Sequence, residues 1–183
     1  VLTPGTVAPT ETVTCTMSGL DPHGGIIESD AFVVIQNTVP TVAVSLSPTV
    51  ITTQDSVECV AVPSDEDAQS VALTYTWLIN GVPSINQTAQ FSDSLSVGTD
   101  IVCQVVPDDG MDLGIMVGAQ TIVQNTPPVI TDVSFNTFSP QTNDVLQASP
   151  VATDVDGDAL TFAYQWFVNG VLVSESESRL DGG

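Results

Sequence analysis

The sequence predicts an all-β protein made of successive two-sheet sandwiches, with the chain starting and ending in mid-domain. Three observations carry this. Val, Thr and Ser dominate while aromatics are 5% of residues, a composition that favours strands. No long stretch places apolar residues at i, i+3, i+4 and i+7, the spacing an amphipathic helix needs. The sequence also repeats. Asp65, Asp67, Tyr75, Trp77, Asn80 and Gly81 recur as Asp154, Asp156, Tyr164, Trp166, Asn169 and Gly170, each 89 residues on (166 − 77). A second set, "QNTVP" at 36–40 with "QNTPP" at 124–128 and Cys15 with Cys103, recurs after 88 (103 − 15). A unit of this length exceeds most solenoid repeats and suits a self-contained sandwich of about 100 residues.

The prolines of the QNT-x-P segments (Pro40, Pro127 and Pro128) stiffen short connections and set the boundaries. Residues 1–38 form the C-terminal part of one repeat, 39–126 a complete repeat, and 127–183 the N-terminal part of a further one. Within the complete repeat, "TVAVSL" (41–46), "SVECVAV" (56–62), "ALTYTWLI" (72–79), "DIVCQVV" (100–106) and "GIMVGAQTIV" (114–123) read as strands. Ser47-Pro48, Pro63-Ser64-Asp65, Asn80-Gly81 and Pro107-Asp108-Asp109-Gly110 punctuate them. Asn80-Gly81 is the strongest of these signals, because both central residues of a type I′ hairpin turn need positive φ. About seven short strands with the order Cys59, Trp77, Cys103 point to an immunoglobulin-like sandwich.

On "Y-x-W-x-x-N-G-V" after an acidic "D-x-D-G-D", closed by "V-x-P-x-D-G" and a "QNTPP" linker, the chain resembles the tandem immunoglobulin-like modules of large secreted bacterial proteins. Those modules are related in style to PKD and cadherin-like repeats. The resemblance covers essentially the whole chain. It implies a stalk, adhesin, filament subunit or spacer.

It also places Cys59 and Cys103 on the two strands that face each other across such a sandwich. A disulfide there implies an oxidising compartment. Cys15 is the counterpart of Cys103, and the counterpart of Cys59 in the third repeat is Ala148 (59 + 89). Cys15 therefore looks to a cysteine outside the chain. Two arrangements stay open. The 183 residues are a segment of one long covalent chain, the preferred reading, or identical short chains complete each other's sandwiches by donor-strand pairing. The absence of an initiator Met and of a charged-then-apolar leader before Val1 reads as a removed signal peptide or as a window of a longer chain. Trp77, Trp166, Tyr75 and Tyr164 are expected in the core rather than on a sugar-stacking platform.

Charge excludes several functions. Against 22 acids there is one base, Arg179, for a formal net charge of −21. Nucleic acid and anionic lipid are bound through Lys and Arg, so neither is a partner, and no apolar run is long enough to insert in a membrane. Divalent cations are attracted instead. Asp154, Asp156 and Asp158, with Gly157 permitting a bend, resemble the first half of a calcium loop. The bidentate acid expected at the twelfth position is missing, Gln165 standing there. Asp65, Glu66 and Asp67 are a weaker version, with Ala68 and Gln69 in place of the glycine and the third aspartate. Calcium is the only cofactor these residues suggest, and a solvated acidic turn is the competing reading. Asp108, Asp109 and Asp112 in "PDDGMD" read first as a hairpin turn built on Asp109-Gly110.

Catalysis has little to work with. The single histidine, His23, lies in a "DPHGG" loop, and no Ser or Cys has a base nearby in sequence. "NQT" at 86–88 is a formal N-glycosylation sequon. The expectation is a non-catalytic, extracellular or cell-surface segment of a stalk, fibre or filament, head to tail with neighbouring copies or adjacent repeats. The alternative is a calcium-dependent adhesin module binding glycan or a partner cell surface.

Overall fold

A computed structural model describes residues 6–173 and 176–181. Among the described residues every regular element is a strand. The chain divides into two compact units. The first comprises Val1–Val50, Ser56–Asp93 and Asp100–Thr121, and the second Ile51–Asp55, Ser94–Thr99 and Ile122–Gly183.

The first unit opens with a hairpin of β1 (Thr12–Leu20) and β2 (Ile26–Val34), paired from Thr12↔Val34 to Leu20↔Ile26. Both strands are almost wholly exposed. Next come β3 (Thr41–Ser47), β4 (Val57–Ser64), β5 (Ala72–Ile79), β6 (Val82–Pro83), β7 (Gln90–Phe91), β8 (Asp100–Asp108) and β9 (Val117–Ile122). They form a three-stranded sheet ordered β3-β4-β7 and a four-stranded sheet ordered β6-β5-β8-β9. A disulfide from Cys59 on β4 to Cys103 on β8 joins the two sheets. Val42, Leu46, Val57 and Cys59 from one sheet and Trp77, Ile101, Cys103 and Val105 from the other are buried. Two sheets with apolar inner faces, covalently tied, are consistent with a β-sandwich.

Strand β8 shows why the alternation is there: Ile101, Cys103, Val105 and Pro107 are buried while the residues between them are partly exposed. Trp77 lies opposite Cys103 in the β5–β8 ladder, is fully buried, and stands 5.4 Å centroid to centroid from Phe91. Its indole N–H donates to the Thr88 carbonyl at 2.9 Å. Tyr75 is half-buried. Asn80 and Gly81 have φ of 50° and 78°, which turns β5 into β6 as the Asn-Gly pair predicts.

The second unit contains β10 (Val129–Phe135), β11 (Val145–Thr153), β12 (Phe167–Val168), β13 (Val171–Leu172) and β14 (Arg179–Asp181). Its sheets are β10-β11-β14 and the hairpin β12-β13, the latter turned by Asn169 and Gly170 at φ of 50° and 81°. Trp166 is buried, 5.7 Å from Phe135, and donates its indole N–H to the Glu177 carbonyl at 3.0 Å. Both tryptophans thus cap a carbonyl eleven residues ahead. Tyr164 is half-buried. The repeat predicts a long strand from about 161 to 168, yet only Phe167 and Val168 are in one. In the first unit β5 is held along its whole length by β8, and a counterpart of β8 a repeat later would fall beyond residue 183.

Candidate functional site

The repeated acidic loops and the QNT linkers, distant in sequence, meet in space. In the loop at 65–69, Asp65 Oδ1 accepts the N–H groups of Asp67 at 2.8 Å and Gln69 at 3.2 Å, closing an Asx-type turn. Ala68 takes φ of 61° to make it, a left-handed conformation that costs an L-residue about 1 kcal/mol. Its counterpart Gly157, at φ of 81°, adopts the same region without that penalty.

The turn aims Asp67 at the linker: its Oδ2 accepts the Thr38 N–H at 2.6 Å, across 29 residues of sequence. Asn37, the preceding linker residue, donates its side-chain amide to Asp109 Oδ2 at 2.8 Å and Asp112 Oδ2 at 2.9 Å. Asp109 is buried and its Oδ1 accepts the N–H groups of Met111 and Asp112, both at 2.7 Å. The Asn37 amide, and after it the Asp112 N–H, hold the Asp109 carboxyl below its ordinary value, because each bond favours the charged form. Further along the linker, Pro40 is buried against Gly114, where a Cβ would overlap the Pro40 carbonyl oxygen. Contacts at Asn37, Thr38 and Pro40 therefore fix residues 37–40.

The second unit repeats the arrangement. Asp154 Oδ1 accepts from the N–H groups of Asp156 at 2.8 Å and Asp158 at 3.3 Å. Asp156 Oδ2 accepts the Thr126 N–H at 2.5 Å, and its Oδ1 accepts the Thr53 hydroxyl at 2.5 Å. The Thr53 hydroxyl first, then the Thr126 N–H, hold the Asp156 carboxyl below its ordinary value. Thr38 and Thr126 are the same repeat position, as are Asp67 and Asp156. No family model, curated protein or solved structure matches the chain.

The predicted metal ligands are placed as follows. Asp154, Asp156 and Asp158 each bring one carboxylate oxygen within 4.8 Å of the others. Three hard oxygens at this spacing can hold a divalent cation such as calcium, which needs six to eight oxygen ligands, so carbonyls or water would complete the shell. Asp65, Glu66 and Asp67 are not brought together in this way among the described residues. Glu66 is exposed, and Gln69 stands where the third carboxylate would be. That loop instead leaves Asp65 Oδ2 and Gln69 Oε1 buried without a hydrogen-bond partner, with Asn37 Oδ1 in the same state. An unmet buried acceptor costs about 1–3 kcal/mol, so water or a cation is the fitting complement.

The remaining candidates have plainer roles. Asp108, Asp109 and Asp112 form the expected turn, with Gly110 at φ of 87°, and two of them also clasp Asn37. Asp21 accepts the N–H groups of Gly25 and His23, so the His23 segment is a tight turn with its imidazole exposed. These two bonds, Gly25 first, hold the Asp21 carboxyl below its ordinary value. Asn86 of the sequon donates its side-chain N–H to the Gln90 carbonyl at 2.9 Å. Cys15 is free and exposed. Among the described residues no helix is long and apolar enough to cross a membrane. Sequence reasoning treated loop and linker separately and so missed Asn37, Thr38, Thr53, Gly114 and Thr126. The signal was available: "QNT" and "D-x-D" recur together, once per repeat.

Proposed function

We propose that this chain is a segment of an extracellular stalk, fibre or filament built from tandem immunoglobulin-like sandwiches, and that its work is mechanical. The observation that carries the reading is the linker bond made twice, Thr38 to Asp67 and Thr126 to Asp156. A carboxylate that takes the backbone N–H of a QNT segment holds that segment in place, and a charge-assisted bond of this kind is about twice as strong as a neutral one. The disulfide supports an oxidising, extracellular setting and a covalent staple against extension. The net charge of −21 keeps neighbouring chains apart until salt or divalent cations screen it. Single-molecule pulling tests this: the wild-type chain should resist extension, and the double variant Asp67→Ala/Asp156→Ala should extend at lower force. Identical force profiles would remove the linker bond from the mechanism.

A second reading, a calcium-dependent adhesin module, is favoured by the Asp154, Asp156, Asp158 cluster alone. Calcium bound there would sit beside the Asp156–Thr126 bond and stiffen the same segment. Titration calorimetry with calcium chloride should show one site that Asp158→Asn weakens at least tenfold. No heat in wild type leaves these acids with the hydrogen-bonding role only.

A further inference from the structure

The turn between β1 and β2 holds the single Asp-Pro bond of the sequence, Asp21-Pro22. A bond to proline is a tertiary amide, and its nitrogen leaves as a secondary amine that takes up protons readily. An aspartate before it carries a carboxylate nucleophile that can close a five-membered ring on its own carbonyl carbon.

The turn sets each participant. Asp21 Oδ1 accepts the N–H groups of His23 and Gly25, both at 2.8 Å, which leaves Oδ2 to attack. The Asp21 carbonyl oxygen gains negative charge as the ring closes, and it accepts the Gly24 N–H at 3.2 Å. The Asp21 N–H donates to the Gly25 carbonyl at 3.0 Å and pins the base of the turn. Gly25 makes room for the nucleophile, since a Cβ there would lie 2.5 Å from Asp21 Oδ2. The Gly25 and His23 N–H groups keep the carboxyl charged further into acid than an ordinary aspartate, so nucleophile and protons are present together. The other titratable groups of the hairpin strands and turn are His23, Cys15 on β1, and Glu28 and Asp30 on β2, opposite Ser18 and Thr16. The repeat supplies a control. Asp109 stands 88 residues on (109 − 21) and accepts the N–H groups of Met111 and Asp112 through Oδ1, but Gly110 follows it.

We propose that Asp21-Pro22 is a self-processing site, at which the Asp21 carboxylate cuts its own peptide bond in mild acid. Oδ2 bonds to the Asp21 carbonyl carbon, the carbon–nitrogen bond to Pro22 breaks, and its electron pair stays on the proline nitrogen, which takes up two protons from water. Residue 21 is left as a five-membered cyclic anhydride. One water adds to it, the ring carbon–oxygen bond breaks, two protons are released, and a C-terminal aspartate remains. The sum is hydrolysis of one peptide bond by one water. The ladder from Thr12↔Val34 to Leu20↔Ile26 still pairs the two strands after the cut, so the pieces part only when it opens.

The test holds the full chain at about pH 5, with about pH 8 as reference. Mass spectrometry in denaturant should show residues 1–21 and 22–183 accumulating at the lower pH. Hydroxylamine added during the reaction should capture the anhydride as a hydroxamate on residue 21. Asp21→Asn keeps an acceptor for both N–H groups, removes the nucleophile, and should stop the cut. Pro22→Ala, which keeps the nucleophile, and Gly25→Ala, which crowds Oδ2, should each slow it about tenfold or more. In concentrated urea wild type should also be slower by about tenfold or more, because the lability of an unfolded Asp-Pro bond owes nothing to the turn. No fragments from folded wild type, an equal rate in urea, an undiminished rate in Gly25→Ala, or an equal cut at Asp109-Gly110 would overturn the proposal. None of these bears on the pulling experiment, so the mechanical reading stands or falls separately.

Discussion

Strands β8 and β1 occupy one place in the repeat and have opposite surroundings. Each carries a cysteine at the same position, within an alternation of apolar and polar residues. In β8 the alternate residues are buried, Cys103 is bonded and Trp77 stands opposite. In β1 Val13 is only half-buried, Met17 is exposed, and Cys15 is exposed and free. Alternation therefore prepares a strand to be half of a core but does not make the core, which needs the other sheet. The stretch before β12 makes the point from the other side: the sequence of β5 without a partner like β8 is not a strand.

The largest expected effect separates these two strands directly. Val105→Asp puts an unpaired charge into the first unit's core and should cost about 4–5 kcal/mol or more. The equivalent Met17→Asp should stay within about 0.5 kcal/mol in dilute chain, as surface changes do. Urea unfolding of both variants checks this, and comparable losses would break the distinction. Next is the staple. Cys59→Ala/Cys103→Ala opens a loop with a sequence separation of 44 and should lose about 4 kcal/mol on the chain-entropy model. Cys15→Ala should leave the melting temperature unchanged, read by calorimetry.

A smaller effect compares the two linker bonds. Asp67→Ala strands the Thr38 N–H and should cost about 2 kcal/mol. Asp156→Ala strands both the Thr126 N–H and the Thr53 hydroxyl, and should lower the midpoint at least as far. Denaturant midpoints read by the fluorescence of Trp77 and Trp166 follow each unit. The smallest effect is the pH profile. The Asp109 carboxyl is held below its ordinary 3.8 in the folded chain, so the unfolded chain binds more protons in acid. The stability it contributes is complete above that value and is lost as the pH falls through the lowered native one. Midpoints should be level from pH 7 to about 5 and drop below about pH 4. Asp109→Asn should be less stable at neutral pH and drop less.

Much of the fold was legible because it is local. The "ALTYTWLI" stretch coincides with β5, Asn80-Gly81 makes its turn, and β3 and β8 begin where their sequences suggest. The stretch expected from 114 becomes a strand only at Val117, because Gly114 is packed on Pro40 and its N–H is spent on the Pro107 carbonyl. The disulfide was legible from the resemblance and the repeat. The linker bonds were not, because Thr38 and Asp67 belong to different strand connections and only folding joins them. The acids drew attention as cation ligands, since a carboxylate pattern shows charge in sequence but not the N–H groups that will meet it.

Amide hydrogen exchange at Thr38 and Thr126 tests most directly whether the acidic loops hold the linkers. Both amides should be strongly protected at neutral pH, and Asp67→Ala should release Thr38 while leaving Thr126 protected. Exchange at both positions in wild type at the rate of an unstructured peptide would contradict the account.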